Sequence, residues 1–292
     1  MEPMLFPWML NGRKRPVSME IAEVSTIKKS KPSKPQFKLI SFCQRDLAEM
    51  CRLIFAYSKI PYEDITIYDI KQFLKFKEEN EKVGPGDFPM LEWNGKMIHG
   101  SDAIGRMLAK MYGLAGAGIY EQAQADTIIG IISNLNHAII EYTKGAFGVY
   151  SIDKEKVYTE TFEPGVKKYF AMLEKFASQG PQDGFFFSSG VTYADFAAAN
   201  MFQLVAILHP ELLTEYKNVK SISQRVFALP QLQKYLNSRP SLQEIMEKTR
   251  VLKNSHDEKR KICSKKSKEA KVCMLQQMSL SLSHFVKGTQ HE

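Results

Sequence analysis

Few residues in this sequence of 292 have a type and spacing that suggest chemistry, and Cys43 is the first of them. It follows the apolar run 37–42 and precedes a predicted helix over 44–59, so its thiol lies near a helix N-terminus. Such a position lowers a thiol pKa and raises the share of reactive thiolate. No CxxC partner accompanies Cys43, so thiol exchange is one interpretation among several.

Ser101 and Asp102 stand directly before a segment of helical periodicity that runs to about residue 112. They are predicted to cap that helix, whose free N–H groups and dipole attract a carboxylate. His99 and His137 are isolated and lack the spacing of metal ligands. The sequence therefore predicts an anion-binding helix start and no metal site.

The elements that position these residues follow from periodicity. A short strand, an amphipathic helix and a β-branched strand within about 30 residues predict a βαβ unit with parallel strands. Asn94-Gly95 between two apolar runs predicts a hairpin. The predicted order is strand 37–42, helix 44–59, strand 64–67, helix 69–82, strands 88–93 and 96–99, and helix 101–112.

From Glu121 onward the pattern predicts helices only, at roughly 121–145, 153–178, 193–206, 220–227 and 230–238. Thr192 to Asp195 resembles a capping box at the start of one of them. The predicted fold class is α/β followed by all-α, with a thioredoxin-like N-terminal domain (βαβ-α-ββα) and an all-helical C-terminal domain. The predicted limits are 37–116 and 119–246, flanked by disordered basic tails at 1–36 and 247–292.

The net charge of +8 belongs to the two ends of the chain. Residues 1–36 carry seven Lys/Arg against three acids, and residues 249–292 carry ten against four, which gives +4 and +6. The stretch between them is therefore at −2. A nucleic-acid-binding face needs clustered Lys/Arg in the folded part, so no nucleic-acid partner is predicted.

Two further properties concern location. No apolar run reaches the roughly 18 residues of a membrane-spanning helix, so no membrane span is predicted. Four cysteines form neither a disulfide framework nor a CxxC pair, which favours the reducing cytoplasm. The basic tails would also allow a nuclear location.

Several motifs in register resemble the sigma class of glutathione S-transferases, which includes haematopoietic prostaglandin D synthase, nematode sigma-like transferases and the S-crystallins. The resemblance covers about residues 37–240. It rests on Lys38–Phe42 with Arg45, Ala48-Glu49 and Arg52, then Phe55–Tyr57, Pro61–Asp64, Phe88–Glu92, Ser101–Ile104, Leu114–Gly116 and Val191–Phe196.

The resemblance implies a glutathione site at the start of the third strand. Pro89 is expected to follow a cis peptide bond, and the backbone of Phe88 to pair with the cysteinyl residue of glutathione. Ser101, with Asp102, is expected to bind the γ-glutamyl carboxylate. The family usually has Gln in the position of Gly100, so one side-chain donor is missing here.

The resemblance also implies further glutathione contacts and a homodimer, in which Asn134 occupies the position of a cross-subunit carboxylate. Phe73 and Lys77 keep the spacing of a tryptophan and a lysine that bind glutathione, whereas Phe76 with Asn80 is a competing alignment. The remaining predicted contacts are Phe42, Gly86 and Asp87.

Ser41 occupies the position of the family's tyrosine, whose hydroxyl donates a hydrogen bond to the glutathione sulfur. Such a bond lowers a thiol pKa by about one to two units. Serine is much shorter, so Ser41 is either a donor that reaches the sulfur through water or a passive residue of the strand. Leu47 replaces the arginine that supports the tyrosine.

The sequence thus predicts a glutathione S-transferase that conjugates glutathione to apolar electrophiles, with Ser41 as the candidate catalytic residue. The alternative is a non-catalytic protein of the same fold, crystallin-like or regulatory, which the loss of the tyrosine favours. A third interpretation is a thiol transferase that depends on Cys43. Glutathione is the expected co-substrate and no metal is expected.

Overall fold

The computed structural model describes residues 36–42, 48–68, 70–79, 88–148, 151–182, 184–241 and 244–245, which fall within one compact unit of the chain. It confirms the predicted fold class, since a mixed sheet with helices precedes a helical region. The strands are β1 (Phe37–Phe42), β2 (Glu63–Ile67), β3 (Met90–Trp93) and β4 (Lys96–His99), and the first helices are α1 (Ala48–Tyr57), α2 (Ile70–Glu79) and α3 (Ser101–Met111).

The sheet has the strand order β2-β1-β3-β4. β1 and β2 are parallel, as the βαβ pattern predicted, and the other two pairings are antiparallel. Asn94 and Gly95 have φ of 51° and 76°, the left-handed geometry that a two-residue hairpin turn needs. The predicted hairpin is confirmed, but β3 begins at Met90 because Pro89 has no N–H to give to the ladder.

The second region contains α4 (Gly118–Ala146), α5 (Lys154–Val157), α6 (Glu163–Gln179), α7 (Tyr193–Leu208), α8 (Lys217–Ala228) and α9 (Gln233–Ser238). The helix predicted over 153–178 is interrupted by a π turn, Tyr158–Phe162. There the N–H of Glu163 donates to the carbonyl of Tyr158, five residues back, and Pro164 has no N–H with which to continue an α pattern. 3₁₀ turns at Pro210–Leu213 and Pro230–Leu232 precede α8 and α9.

Asp195 fixes the start of α7. Its Oδ2 accepts hydrogen bonds from the N–H and hydroxyl of Thr192, both at 2.7 Å, and its Oδ1 accepts from the N–H of Phe186 at 2.9 Å. The predicted capping box is confirmed. Asp195 is fully buried, and this burial raises its pKa to about 6 despite these three donors.

One apolar core connects the sheet to the helical region. Leu39 of β1 and Leu108 of α3 belong to the same buried cluster as Phe196 of α7. The rings of Tyr57 and Phe196 lie 5.5 Å apart between α1 and α7. The other face of the sheet has a separate small cluster around Ile40. The domain limits 37–116 and 119–246 remain predictions.

Candidate functional site

The start of β3 is joined to the start of α3 by one backbone hydrogen bond. The peptide bond between Phe88 and Pro89 is cis, as predicted. The N–H of Gly100 donates to the carbonyl of Pro89 at 2.9 Å. The first turn of α3 is therefore held beside the Phe88-Pro89 pair.

Gly100, and not Ser101, is the N-cap of α3, which corrects the cap predicted from the sequence. Gly100 has φ of 82°, in the left-handed region that glycine adopts without strain. Ser101 is consequently the first residue of α3, and the cap residue itself has no side chain to accept from the first N–H groups. Glycine costs the site a side-chain donor but allows the chain to turn into the helix directly after β4.

Ser101 and Asp102 combine helix N–H groups with a carboxylate at one place. Ser101 is buried, and its hydroxyl donates to Asp102 Oδ1 at 3.1 Å. Ser133 of α4 donates its hydroxyl to Asp102 Oδ2 at 2.8 Å, which fixes the carboxylate from the helical region. We call Gly100, Ser101 and Asp102 the α3 tip. It offers donors to an anion and an acceptor to a cation within one helical turn.

Phe42 and Phe88, two predicted site residues, lie together on the α2 side of the sheet. Their ring centroids are 4.8 Å apart, and Phe76 of α2 lies 5.9 Å from Phe88. All three rings pack against the cluster around Ile40. Phe76, from the competing alignment, is therefore beside the start of β3.

The candidate catalytic hydroxyl of Ser41 faces the protein interior. Ser41 is 1% exposed. Its Oγ accepts a hydrogen bond from Arg52 Nη2 at 2.5 Å and donates to the carbonyl of Phe42 at 3.3 Å. The hydroxyl is thus engaged on both sides inside the protein, an arrangement that favours a structural role for Ser41.

Arg52 is itself fixed by carboxylates. Its Nε donates to Asp64 Oδ2 at 2.8 Å and its Nη2 to Asp64 Oδ1 at 3.3 Å. Burial lowers the pKa of Arg52, but the hydrogen bond and charge of Asp64, with the charge of Glu49, outweigh it and raise the pKa above its usual value. Arg52 is therefore a permanent cation beside Ser41. The sequence signal for it was the Glu49/Arg52 pair, three residues apart on the side of α1 opposite Met50, Cys51 and Ile54.

Most of the other predicted site residues lie wholly or partly outside the described part of the chain. Cys43, Gly86 and Asp87 lie outside the described residues. Phe73 and Lys77 belong to α2, but their side chains are outside the described part as well. Asn134 is exposed on α4, next to Ser133. The structure thus brings together Phe42, Phe88, Pro89 and the α3 tip.

Within the described residues, no group of three or more His, Cys, Asp or Glu side chains is arranged to hold a metal ion. None of the described helices combines the length and apolar character needed to cross a membrane. Cys51, which is buried in α1, is a core residue.

A thioredoxin-like sheet with a cis-proline at the start of β3, bonded to a helix N-terminus and followed by a helical domain, defines a class of glutathione-binding folds. Family comparison agrees with this class. The profile of the glutathione S-transferase N-terminal domain matches residues 42–116, and that of the C-terminal domain matches residues 141–239.

Relatives and solved structures extend the match over both domains. Glutathione S-transferase 1 of Ascaris suum is 30% identical over 211 residues, 70% of this chain and 98% of the relative. Hematopoietic prostaglandin D synthase of Gallus gallus is 30% identical over 206 residues, with 70% and 98% covered. The structure of a monomeric glutathione S-transferase of the hookworm Necator americanus superposes with a TM-score of 0.63 at 30% identity, covering 70% and 98%. The chain belongs to the glutathione S-transferase family.

Proposed function

We propose that this protein is a glutathione S-transferase that binds glutathione beside Phe88-Pro89 and the α3 tip and transfers its thiolate to apolar electrophiles. The hydrogen bond from Gly100 to Pro89 at 2.9 Å supports this most directly. It keeps the backbone expected to pair with the cysteinyl residue next to the helix start expected to bind the γ-glutamyl end. Two neighbouring residues of one small peptide can therefore be held together.

The charges of the α3 tip fit the γ-glutamyl end of glutathione, which carries a carboxylate and an ammonium group. The N–H groups of the first turn would bind the carboxylate, and the Ser101 hydroxyl would turn from Asp102 to join them. Asp102 would accept from the ammonium, a charge-assisted hydrogen bond. The carboxylate of Asp102 is already oriented by Ser133 before the ligand arrives.

Further contacts rest on the family resemblance. Phe42 contributes to the apolar surface beside Phe88, and Phe73, Lys77, Gly86 and Asp87 would contact other parts of the tripeptide. In a homodimer, the exposed Asn134 of one subunit would approach the glutathione of the other. The hookworm relative is described as monomeric. Sedimentation of the wild type tests the dimer, and the glutathione affinity of Asn134→Asp tests the cross-subunit contact.

Thiol activation is the weaker half of the proposed site. A free alkyl thiol with a pKa of about 8.5 is only a few per cent thiolate at neutral pH. The Ser41 hydroxyl is 1% exposed and bonded to Arg52, so it gives the sulfur little direct help in this geometry. We therefore expect slow conjugation, carried mainly by the positioning of glutathione.

The same observation favours a second candidate function, a non-catalytic glutathione-binding protein. If conjugation needs a hydroxyl donor at position 41, a serine fixed inside the protein leaves binding without transfer. The third possibility, thiol exchange at Cys43, concerns a residue outside the described part of the chain. A cytoplasmic location, with nuclear entry through the basic tails, is likewise a proposal.

One set of measurements separates the three functions. Glutathione affinity is measured by calorimetry, conjugation with a chlorodinitrobenzene, and exchange with a glutathione mixed disulfide. The proteins are the wild type, Ser41→Ala, Ser41→Tyr and Cys43→Ser. The transferase proposal predicts binding, slow conjugation that Cys43→Ser leaves unchanged, and faster conjugation in Ser41→Tyr.

The outcomes differ clearly. Binding without conjugation in the wild type, restored by Ser41→Tyr, identifies the non-catalytic protein. Disulfide exchange that disappears in Cys43→Ser identifies the thiol transferase. The absence of glutathione binding in the folded wild type would overturn all three.

A further inference from the structure

A group of four charges, three of them buried, joins the two domains and has no part in the proposed function. Glu49, Arg52, Asp64 and Arg239 form what we call the interdomain charge cluster. Glu49 and Arg52 lie on α1 and Asp64 on β2, whereas Arg239 directly follows α9. The side chains of Glu49, Arg52 and Arg239 are 2%, 8% and 7% exposed. Charges so deeply buried are stable only when they are paired.

Arg239 is the near partner of Glu49. Its Nη1 donates to Glu49 Oε1 at 2.6 Å and its Nη2 to Gln203 Oε1 at 2.8 Å. The hydroxyl of Tyr235 donates to the other oxygen, Glu49 Oε2, at 2.9 Å. Glu49 is therefore satisfied mainly from the helical region, by residues in and directly after α9.

Arg52 lies closer to Ser41 and Asp64 than to Glu49. Its Nη1 lies 3.5 Å from Glu49 Oε2, a long ion pair. Its Nη2 donates to Ser41 at 2.5 Å and its Nε to Asp64 at 2.8 Å. Because Arg239 pairs closely with Glu49, Arg52 is available to donate hydrogen bonds to Ser41 at the end of β1 and to Asp64 on β2.

Loss of the Arg239 charge would change this division. Glu49 would keep Tyr235 and would have Arg52 as its nearest cation. A buried carboxylate without its partner attracts the remaining cation strongly, because the surrounding dielectric constant is low. Arg52 would close on Glu49 and release Ser41. If the Glu49 charge is removed together with that of Arg239, no unpaired carboxylate attracts Arg52, and Arg52 should keep its hydrogen bond to Ser41.

We propose that Arg239 is a positioning residue that acts through Glu49 and Arg52 to hold the Ser41 end of β1. This end leads into Phe42, beside Phe88 and the proposed glutathione site. We call this chain of contacts, from Arg239 through Glu49 and Arg52 to Ser41, the latch, because it fixes the strand that enters the site. The inference rests on the proposed function where it is tested by glutathione affinity, but not where it is tested by hydrogen exchange of the segment 37–42.

The test uses the full chain and four variants. Arg239→Met removes the charge at similar volume, and Arg239→Lys keeps the charge without the guanidinium fork. Glu49→Gln combined with Arg239→Met removes both charges. Arg225→Met is the matched control, because Arg225 holds the carbonyls of Gln182 and Gly184 and none of the cluster. Glutathione affinity is measured by calorimetry, and hydrogen exchange of the segment 37–42 by mass spectrometry without ligand.

Arg239→Met should weaken glutathione binding about 3- to 30-fold and accelerate exchange of the segment 37–42. The double variant should return both readouts to within about twofold of the wild type, and Arg225→Met should leave both unchanged. Both readouts are taken under conditions in which circular dichroism shows each variant fully folded, where a residue that only stabilises the fold would leave the glutathione affinity unchanged. If Arg239→Met does not fold, wild-type behaviour of the double variant with weaker binding in Arg239→Lys supports the latch.

Two results would overturn the inference. One is a folded Arg239→Met with wild-type affinity and exchange. The other is a double variant at least as impaired as Arg239→Met or Arg239→Lys. A wild type that binds no glutathione would instead contradict the proposed function. The exchange pattern alone would then decide whether the latch exists.

Discussion

The α3 tip and the end of β1 meet the proposed ligand in opposite ways. At the α3 tip, helix N–H groups and a half-buried carboxylate are fixed by neighbours and are still suited to a zwitterion. At the end of β1, the one candidate hydroxyl is buried and already bonded to Arg52. The α3 tip is suited to recognise a ligand, whereas the end of β1 is suited to join the two domains.

This difference separates binding from activation. Both regions belong to one site in the family that the chain resembles. Here Phe88-Pro89 and the α3 tip have the backbone geometry expected to recognise glutathione, while the Ser41 hydroxyl expected to activate its sulfur is bonded to Arg52. Substitutions in the two regions should therefore change different properties, which can be measured one at a time.

The largest expected effect concerns stability at the end of β1. Arg52→Met should lower the free energy of unfolding by about 1.5–3 kcal/mol, because it removes the charge-assisted hydrogen bonds to Asp64 and to the buried hydroxyl of Ser41. Arg106→Met is the control. Its Nε donates to both oxygens of Asp126, and the two side chains are 40% exposed, so we expect a loss of about 0.2–1 kcal/mol. Urea unfolding measures both, and equal losses would show that the Arg52 region is an ordinary surface pair.

The next effect concerns recognition at the α3 tip. Asp102→Asn should weaken glutathione binding about tenfold, since a charge-assisted hydrogen bond to the ammonium is lost. Binding of deaminated glutathione, which lacks that ammonium, should be unchanged. Calorimetry with both ligands gives the comparison. An equal loss for both ligands would assign Asp102 to the structure of the tip and not to recognition.

A smaller effect is expected from the residue that orients Asp102. Ser133→Ala removes one neutral donor to this carboxylate and should weaken glutathione binding about threefold. Thr161→Ala is a suitable control, because that hydroxyl bonds only its own helix, at Val157. Affinity in Ser133→Ala equal to that of the control would mean that Asp102 needs no support from α4.

The smallest effect is expected at Ser41. Its hydroxyl is turned to Arg52, so Ser41→Ala should change the conjugation rate by no more than about twofold. Steady-state rates with a chlorodinitrobenzene at saturating glutathione measure this. A loss of tenfold or more at unchanged affinity would show that Ser41 reaches the sulfur when glutathione is bound.

The sequence predicted what depends on local patterns. Asn94-Gly95 specifies a turn, Thr192 with Asp195 specifies a helix start, and the alternation of strands and helices specifies the sheet. The N-cap of α3 was placed one residue late, because the left-handed φ of Gly100 is not visible in a pattern of polar residues. A glycine N-cap has no side chain to accept from the first N–H groups, so no polar residue marks it in the sequence.

Contacts between residues far apart in the sequence could not be predicted from local patterns. Glu49 and Arg239 are 190 positions apart, and nothing local indicates that α9 meets α1. The orientation of Ser41 follows from Arg52, whose own position depends on Asp64 and Glu49. Serine at a family tyrosine position therefore indicated a change of chemistry, while the nature of the change required the packed structure.

The most direct test of this division is the thiol pKa of bound glutathione, followed by thiolate absorbance as a function of pH. The account predicts that glutathione binds and that its thiol keeps a pKa near the ordinary value of about 8.5, in the wild type and in Ser41→Ala alike. A pKa lowered by about one to two units in the wild type and restored in Ser41→Ala would contradict it.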